Sequence, residues 1–96
     1  MRLTEQQQTA IKHTAKEFFG DGARVYLFGS RTDDTRRGGD IDLCIFPKDR
    51  QNLLQKKVKF LASLDRIIGE QKIDVILYRD GKTGIEQTAM ETGVPL

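Results

Sequence analysis

The chain reads as a small α/β domain, a mixed sheet with helices packed on it, and two features carry that reading. Three short apolar runs, Arg24 to Phe28, Ile41 to Phe46 and Ile73 to Tyr78, have strand length and strand composition. Between and around them lie three longer segments with apolar residues at helical spacing, each closed by a glycine. The order is α-β-β-α-β-α, with no repeat, linker or low-complexity segment, so residues 1–96 are expected to form one domain in two or three layers.

Each element has a local reason. Thr4 to Phe19 opens on Thr4 with Gln7 three residues on, a capping-box pattern, and carries Ile11, Ala15, Phe18 and Phe19 on a stripe. Gly20-Asp21-Gly22 ends it. Arg24 to Phe28 is apolar enough for burial on both faces. Pro47 stops the second strand. Arg50 to Ile68 shows Leu54, Val58, Leu61, Leu64 and Ile68 at helical spacing, with Gly69 at the C-cap. Thr83-Gly84-Ile85-Glu86 is a second capping-box pattern, opening a last helix that Gly93 closes.

Composition narrows the class. Of 96 residues, 31% are charged and 38% hydrophobic, the balance of a water-exposed globular domain. A net charge of +2 is too mild to announce a nucleic-acid binder. The lone Cys44 permits no internal disulfide and fits a reducing compartment. No apolar run reaches membrane-span length and Met1 to Glu5 holds no signal core, so the expected location is the cytoplasm.

The chemistry is concentrated in two places. Phe28-Gly29-Ser30-Arg31 is an apolar run ending in a Gly-Ser turn, which can offer backbone N–H groups and a hydroxyl to phosphate. After nine intervening residues, Ser30 is followed by Asp40-Ile41-Asp42-Leu43. Asp40 and Asp42 share one strand face with Cys44 and Phe46, about 6–7 Å apart and within reach of one metal site. Ile41, Leu43 and Ile45 share the other face and should pack under helices. Asp74 interrupts the third apolar run, where an isolated buried charge is costly. If the second and third strands are neighbours, Asp74 joins the pair. Mg²⁺ prefers carboxylate and phosphate oxygens, and a two-ion site serves both the attacking and the leaving oxygen. Taken singly, an Asp-x-Asp at a strand start is most often a solvated turn, a Gly-Ser an ordinary turn, and a strand aspartate an edge charge. The three in this order favour the metal-and-phosphate reading.

Together, Leu27-Phe28-Gly29-Ser30-Arg31, Gly39-Asp40-Ile41-Asp42-Leu43 and Ile73-Asp74-Val75 resemble the minimal nucleotidyltransferases of the DNA polymerase beta-like superfamily. The resemblance runs over nearly the whole chain, to Ala89-Met90-Glu91-Thr92-Gly93-Val94. It implies a nucleotidyltransferase-like core, Mg²⁺ dependence and transfer of a nucleoside monophosphate, AMP from ATP, to an acceptor. By the same resemblance Gly29 and Ser30 hold the triphosphate, and Asp40 and Asp42 ligate metal. Asp74 is the third carboxylate, ligating metal or taking the acceptor's proton. Arg31 is grouped with the nucleotide-binding residues because minimal members commonly carry arginine there, although the superfamily gives it no fixed role. The loop between Ser30 and Asp40 is one residue shorter than in many minimal members, and Thr32 and Asp34 stand where small residues are frequent.

Such minimal members are typically paired with a small helical HEPN-type protein, as antitoxin to its ribonuclease toxin, and some attach AMP to that toxin. The rival reading is a non-catalytic module that neutralises a helical toxin by contact. A nucleic-acid-end transferase is the weakest alternative, given the mild charge. Among the remaining residues, His13 reads as a surface residue, Cys44 as a small buried hydrophobe, and Lys56, Lys57 and Lys59 as the wet face of the long helix. Arg36 and Arg37 read as solvated loop residues that could meet phosphate or an acidic partner. Tyr26 and Phe28 read as core, and Phe46 or Tyr78 as the floor of a base pocket.

Overall fold

The structure, a computed structural model, describes residues 3–29, 41–69 and 72–96. In chain order these form α1 (Glu5–Phe19), β1 (Arg24–Phe28), β2 (Ile41–Phe46), α2 (Leu53–Ile68), β3 (Ile73–Leu77), α3 (Gly84–Thr92) and β4 (Val94–Pro95). The α/β reading holds, with one correction to the order: a two-residue β4 follows α3. The sheet runs β3-β2-β1-β4. β1 pairs antiparallel with β2 and β4, and β2 pairs parallel with β3, with α2 as the crossover.

Local chemistry explains the boundaries. The capping box forms: Gln7 N–H donates to Thr4 Oγ1 and Thr4 N–H to Gln7 Oε1, both at 3.0 Å. At the other end of α1, the Phe19 carbonyl accepts from the N–H groups of both Lys48 and Asp49 at 2.8 Å. A helix-end carbonyl is thereby satisfied by the β2–α2 loop, which ties the two segments together. α2 starts at Leu53 and not at Arg50, because Asn52 takes a left-handed conformation, φ 53 and ψ 43, that a right-handed helix cannot continue through.

The sheet is covered on both faces, making three layers. On one face Ile11, Phe19, Leu27, Leu43, Ile45, Phe60 and Leu64 form the main core beneath α1 and α2. Phe19 and Phe60 are the hub, ring centroids 5.6 Å apart and tilted. On the other face Phe28, Cys44 and Ala89 of α3 are buried, flanked by Tyr26, Phe46, Ile76 and Tyr78. Cys44 is the small buried hydrophobe expected; burial foremost, and then the Glu86 carboxylate, push its thiol up to about 11, so it stays protonated at neutral pH.

The stripe read on α2 needs a second correction. Leu61, Leu64 and Ile68 of that stripe do pack in the main core, but Leu54 and Val58 are 75% and 61% exposed, whereas Phe60, outside the stripe, is fully buried. At about 100° per residue, Phe60 lies about 120° round the helix from Leu54, so the buried face centres near Leu64 and leaves Leu54 and Val58 outside it. Lys56 and Lys57 are correspondingly half-buried, and Lys59 is exposed.

The β3–α3 loop is closed by a buried carboxylate. Glu86 Oε2 accepts the backbone N–H groups of Arg79, Asp80 and Gly81 at 2.8, 3.3 and 3.1 Å. Its Oε1 accepts the Thr83 hydroxyl at 2.7 Å, and Glu86 N–H donates back to Thr83 Oγ1. These donors, the Arg79 N–H first, lower the Glu86 pKa from an ordinary 4.5 to about 2. A depressed carboxylate stabilises the fold fully above its unfolded pKa, and that contribution is lost as pH falls through its folded pKa. Glu86→Gln is therefore expected to melt lower than the parent, by roughly 5 °C at pH 7. The gap should shrink below pH 4.5 and close near pH 2. Thermal melts of both proteins at pH 7, 4 and 2.5 check this; a gap constant across that range would remove the carboxylate's charge from the explanation.

Candidate active site

Three strands bring the described candidate residues, Gly29, Asp42 and Asp74, together at one end of the sheet. In the antiparallel β1–β2 ladder Asp42 stands opposite Phe28, and in the parallel β2–β3 ladder it stands opposite Asp74. Laterally paired residues point to the same sheet face. Asp42 and Asp74 therefore sit side by side on the face that also carries Phe28, Cys44 and Ile76. Neighbouring strands lie about 4.8 Å apart, so the carboxylates are within reach of a common cation. Asp42 is half-buried and Asp74 exposed, which leaves the β3 side of the pair open to a second reactant.

Gly29 closes the other side. Its φ is +78°, a conformation that side chains resist, and a Cβ placed there would collide with Asp42 Oδ2 and lie 3.2 Å from its Cγ. The backbone conformation calls for glycine at this point, and any side chain there would also have to displace the Asp42 carboxylate. The end of β1 and the start of β2 thus meet through a main chain with no side chain between them.

Ser30, Arg31 and Asp40 lie outside the described residues, as do Arg36 and Arg37. Among the described residues no group of three or more His, Cys, Asp or Glu is clustered as a metal site. The described pair still suits a hard divalent cation. Two carboxylates directly opposed on neighbouring strands repel each other, and an all-oxygen donor set is what Mg²⁺ takes. The remaining singled-out residues fall elsewhere. His13 is exposed on α1, as expected. Phe46 and Tyr78 stack at 4.2 Å between centroids, with Tyr26 edge-on to Phe46 at 5.4 Å, toward the other end of the same face.

A mixed sheet whose glycine turn abuts an aspartate, with a second aspartate in register on the next strand, is the frame of a nucleotidyltransferase-like fold. The family model described as Polymerase beta, Nucleotidyltransferase matches residues 9–96, and the chain belongs to that family. A nucleotidyltransferase type of function follows from that membership. A comparison with curated proteins gives no match. No helix among the described residues is long and apolar enough to cross a membrane.

Proposed function

We propose that this chain is a Mg²⁺-dependent nucleotidyltransferase that moves AMP from ATP to a hydroxyl of a small helical HEPN-type protein, acting as that protein's antitoxin in the cytoplasm. The observation that carries the reading is the in-register Asp42–Asp74 pair beside the bare backbone of Gly29. Asp40, Asp42 and Asp74 are the residues that would hold metal, as two ions. Bound Mg²⁺ supplies charge neutralisation of the triphosphate and of the oxygens that gain charge during transfer.

The chain's own residues do the positioning. Gly29 lets the main chain approach the triphosphate, and Ser30 and Arg31 add donors to it. The acceptor oxygen forms a bond to the α-phosphorus as the bond to pyrophosphate breaks, and pyrophosphate leaves. The acceptor's proton passes to solvent or to Asp74, the exposed carboxylate of the pair. Little covalent work falls to the protein, so orientation and electrostatics account for the rate. The HEPN-type partner follows from the resemblance to minimal members.

Incubation with α-labelled ATP, Mg²⁺ and a small helical HEPN-type protein, taken from the neighbouring gene where that encodes one, tests the proposal. The expected result is label on the partner with release of pyrophosphate. A partner that is silenced with no label and no pyrophosphate would make the contact-inhibitor reading the right one.

A further inference from the structure

Two apolar side chains beside the edge of the main core, where Leu53 and Leu77 still pack on it, are left outside both cores. Leu54 and Val58, one turn apart on α2, are largely exposed. Leu54 lies on the seam of two hollows. In the first, between α2 and the end of β3, Leu53, Leu54 and Leu77 form the floor and Arg50, Lys57 and Arg79 stand around it. The second continues along α2 past Val58 to Lys59.

The charges around this groove are unbalanced. Lys56 is matched within the fold, its Nζ 2.6 Å from Asp49 Oδ2. Among the described residues no carboxylate forms an ion pair with Arg50, Lys57, Lys59 or Arg79. Arg50 is held at the groove by donating to the Tyr78 carbonyl at 2.9 Å. Asp80, the one carboxylate among the described lining residues, turns to its own loop and accepts from Lys82 N–H at 2.9 Å.

An exposed aliphatic floor ringed by unmatched cations fits an occupant that is apolar on one side and acidic around it. A second copy of the chain fits poorly, because a two-fold contact would set these cations against one another. A nucleic acid fits poorly too, since the floor is aliphatic and offers no aromatic ring for a base to stack on. We propose that the α2–β3 groove docks an acidic amphipathic segment of a partner protein. Apolar side chains of that segment cover Leu54 and Val58, and its carboxylates meet Arg50, Lys57 and Arg79. The groove lies at the Leu77 end of β3, about 10 Å from the Asp74 end at 3.3 Å per residue. Leu77 is on the α2 face of the sheet and Asp74 on the other, so the groove and the Asp42–Asp74 pair lie on opposite faces. That the docked protein is also the acceptor rests on the proposed function; the docking itself does not.

Fluorescence anisotropy tests it without nucleotide. The probes are a labelled amphipathic peptide with leucine on one face and glutamate on the other, the same peptide with lysine for glutamate, and a thymidine oligonucleotide of equal negative charge. The acidic peptide is expected to bind best. Leu54→Ser and the pair Lys57→Glu, Lys59→Glu are each expected to weaken it about tenfold or more, and the charge-reversed pair should bind the lysine peptide instead. Both variants change exposed or half-exposed positions, and melts confirm that they stay folded; either one alone suffices. The proposal is overturned if the acidic peptide does not bind, if neither variant weakens it, or if the oligonucleotide competes equally well. It is also overturned if the parent sediments as a dimer that Leu54→Ser dissolves.

Discussion

Asp42→Asn is expected to lower nucleotidyl transfer by about a thousandfold, equivalent to about 4 kcal/mol of transition-state stabilisation, while the thermal midpoint moves by no more than about 3 °C. Asparagine keeps the side chain's volume and one carbonyl oxygen, so the packing against Gly29 and the Phe28 position changes little. What it removes is a full negative charge from the half-buried member of an opposed aspartate pair. Where that charge serves to hold a divalent cation beside a triphosphate, its loss falls on the rate. Where the pair is only two like charges on adjacent strands, its loss relieves repulsion and raises stability slightly, with no effect on transfer. Transfer of α-label to the partner, measured beside thermal melts, separates the two. Full activity in the variant would leave contact inhibition as the better account of this chain.

The pairing behind that expectation was partly legible in the sequence. Residue parity alone places Asp42 with Cys44 on one face and Ile41 with Leu43 on the other, because a strand has a period of two. That Asp74 lies next to Asp42 depends on β2 and β3 being parallel neighbours joined across α2, which no local pattern specifies. The capping box of Thr4 and Gln7 was legible because both partners lie within one turn. The Thr83–Glu86 pattern was visible as well. Its main role was not, since the N–H groups of Arg79, Asp80 and Gly81 converge on Glu86 only after the loop has folded. β4 left no trace: Val94 and Pro95 are strand residues only because Leu27 and Tyr26 stand opposite them. The conformation of Asn52, which delays the start of α2, is equally invisible to hydrophobic spacing.

The face of α2 is the clearest place where the two readings part, and it sets the second large effect. Phe60→Ala is expected to cost about 3–5 kcal/mol and to lower the melting midpoint by about 15 °C or more. Phe60 is fully buried, packs on Phe19 at 5.6 Å and belongs to the core that seats α1 and α2 on the sheet. Truncation removes that ring pair and leaves a cavity that the surrounding helices close only in part. For a domain of this size such a loss takes away much of the total stability. Leu54→Ala, on the same helix, is expected to stay within about 0.5 kcal/mol, because its side chain is 75% exposed and contributes little to the fold. The stripe read from the spacing of Leu54, Val58, Leu61, Leu64 and Ile68 counts Leu54 as a core residue and leaves Phe60 off it. Urea titrations of the two variants decide between them. A larger loss for Leu54→Ala would turn α2 so that Leu54 and Val58 face the core, removing the exposed apolar residues from the α2–β3 groove along with the main hub of the fold.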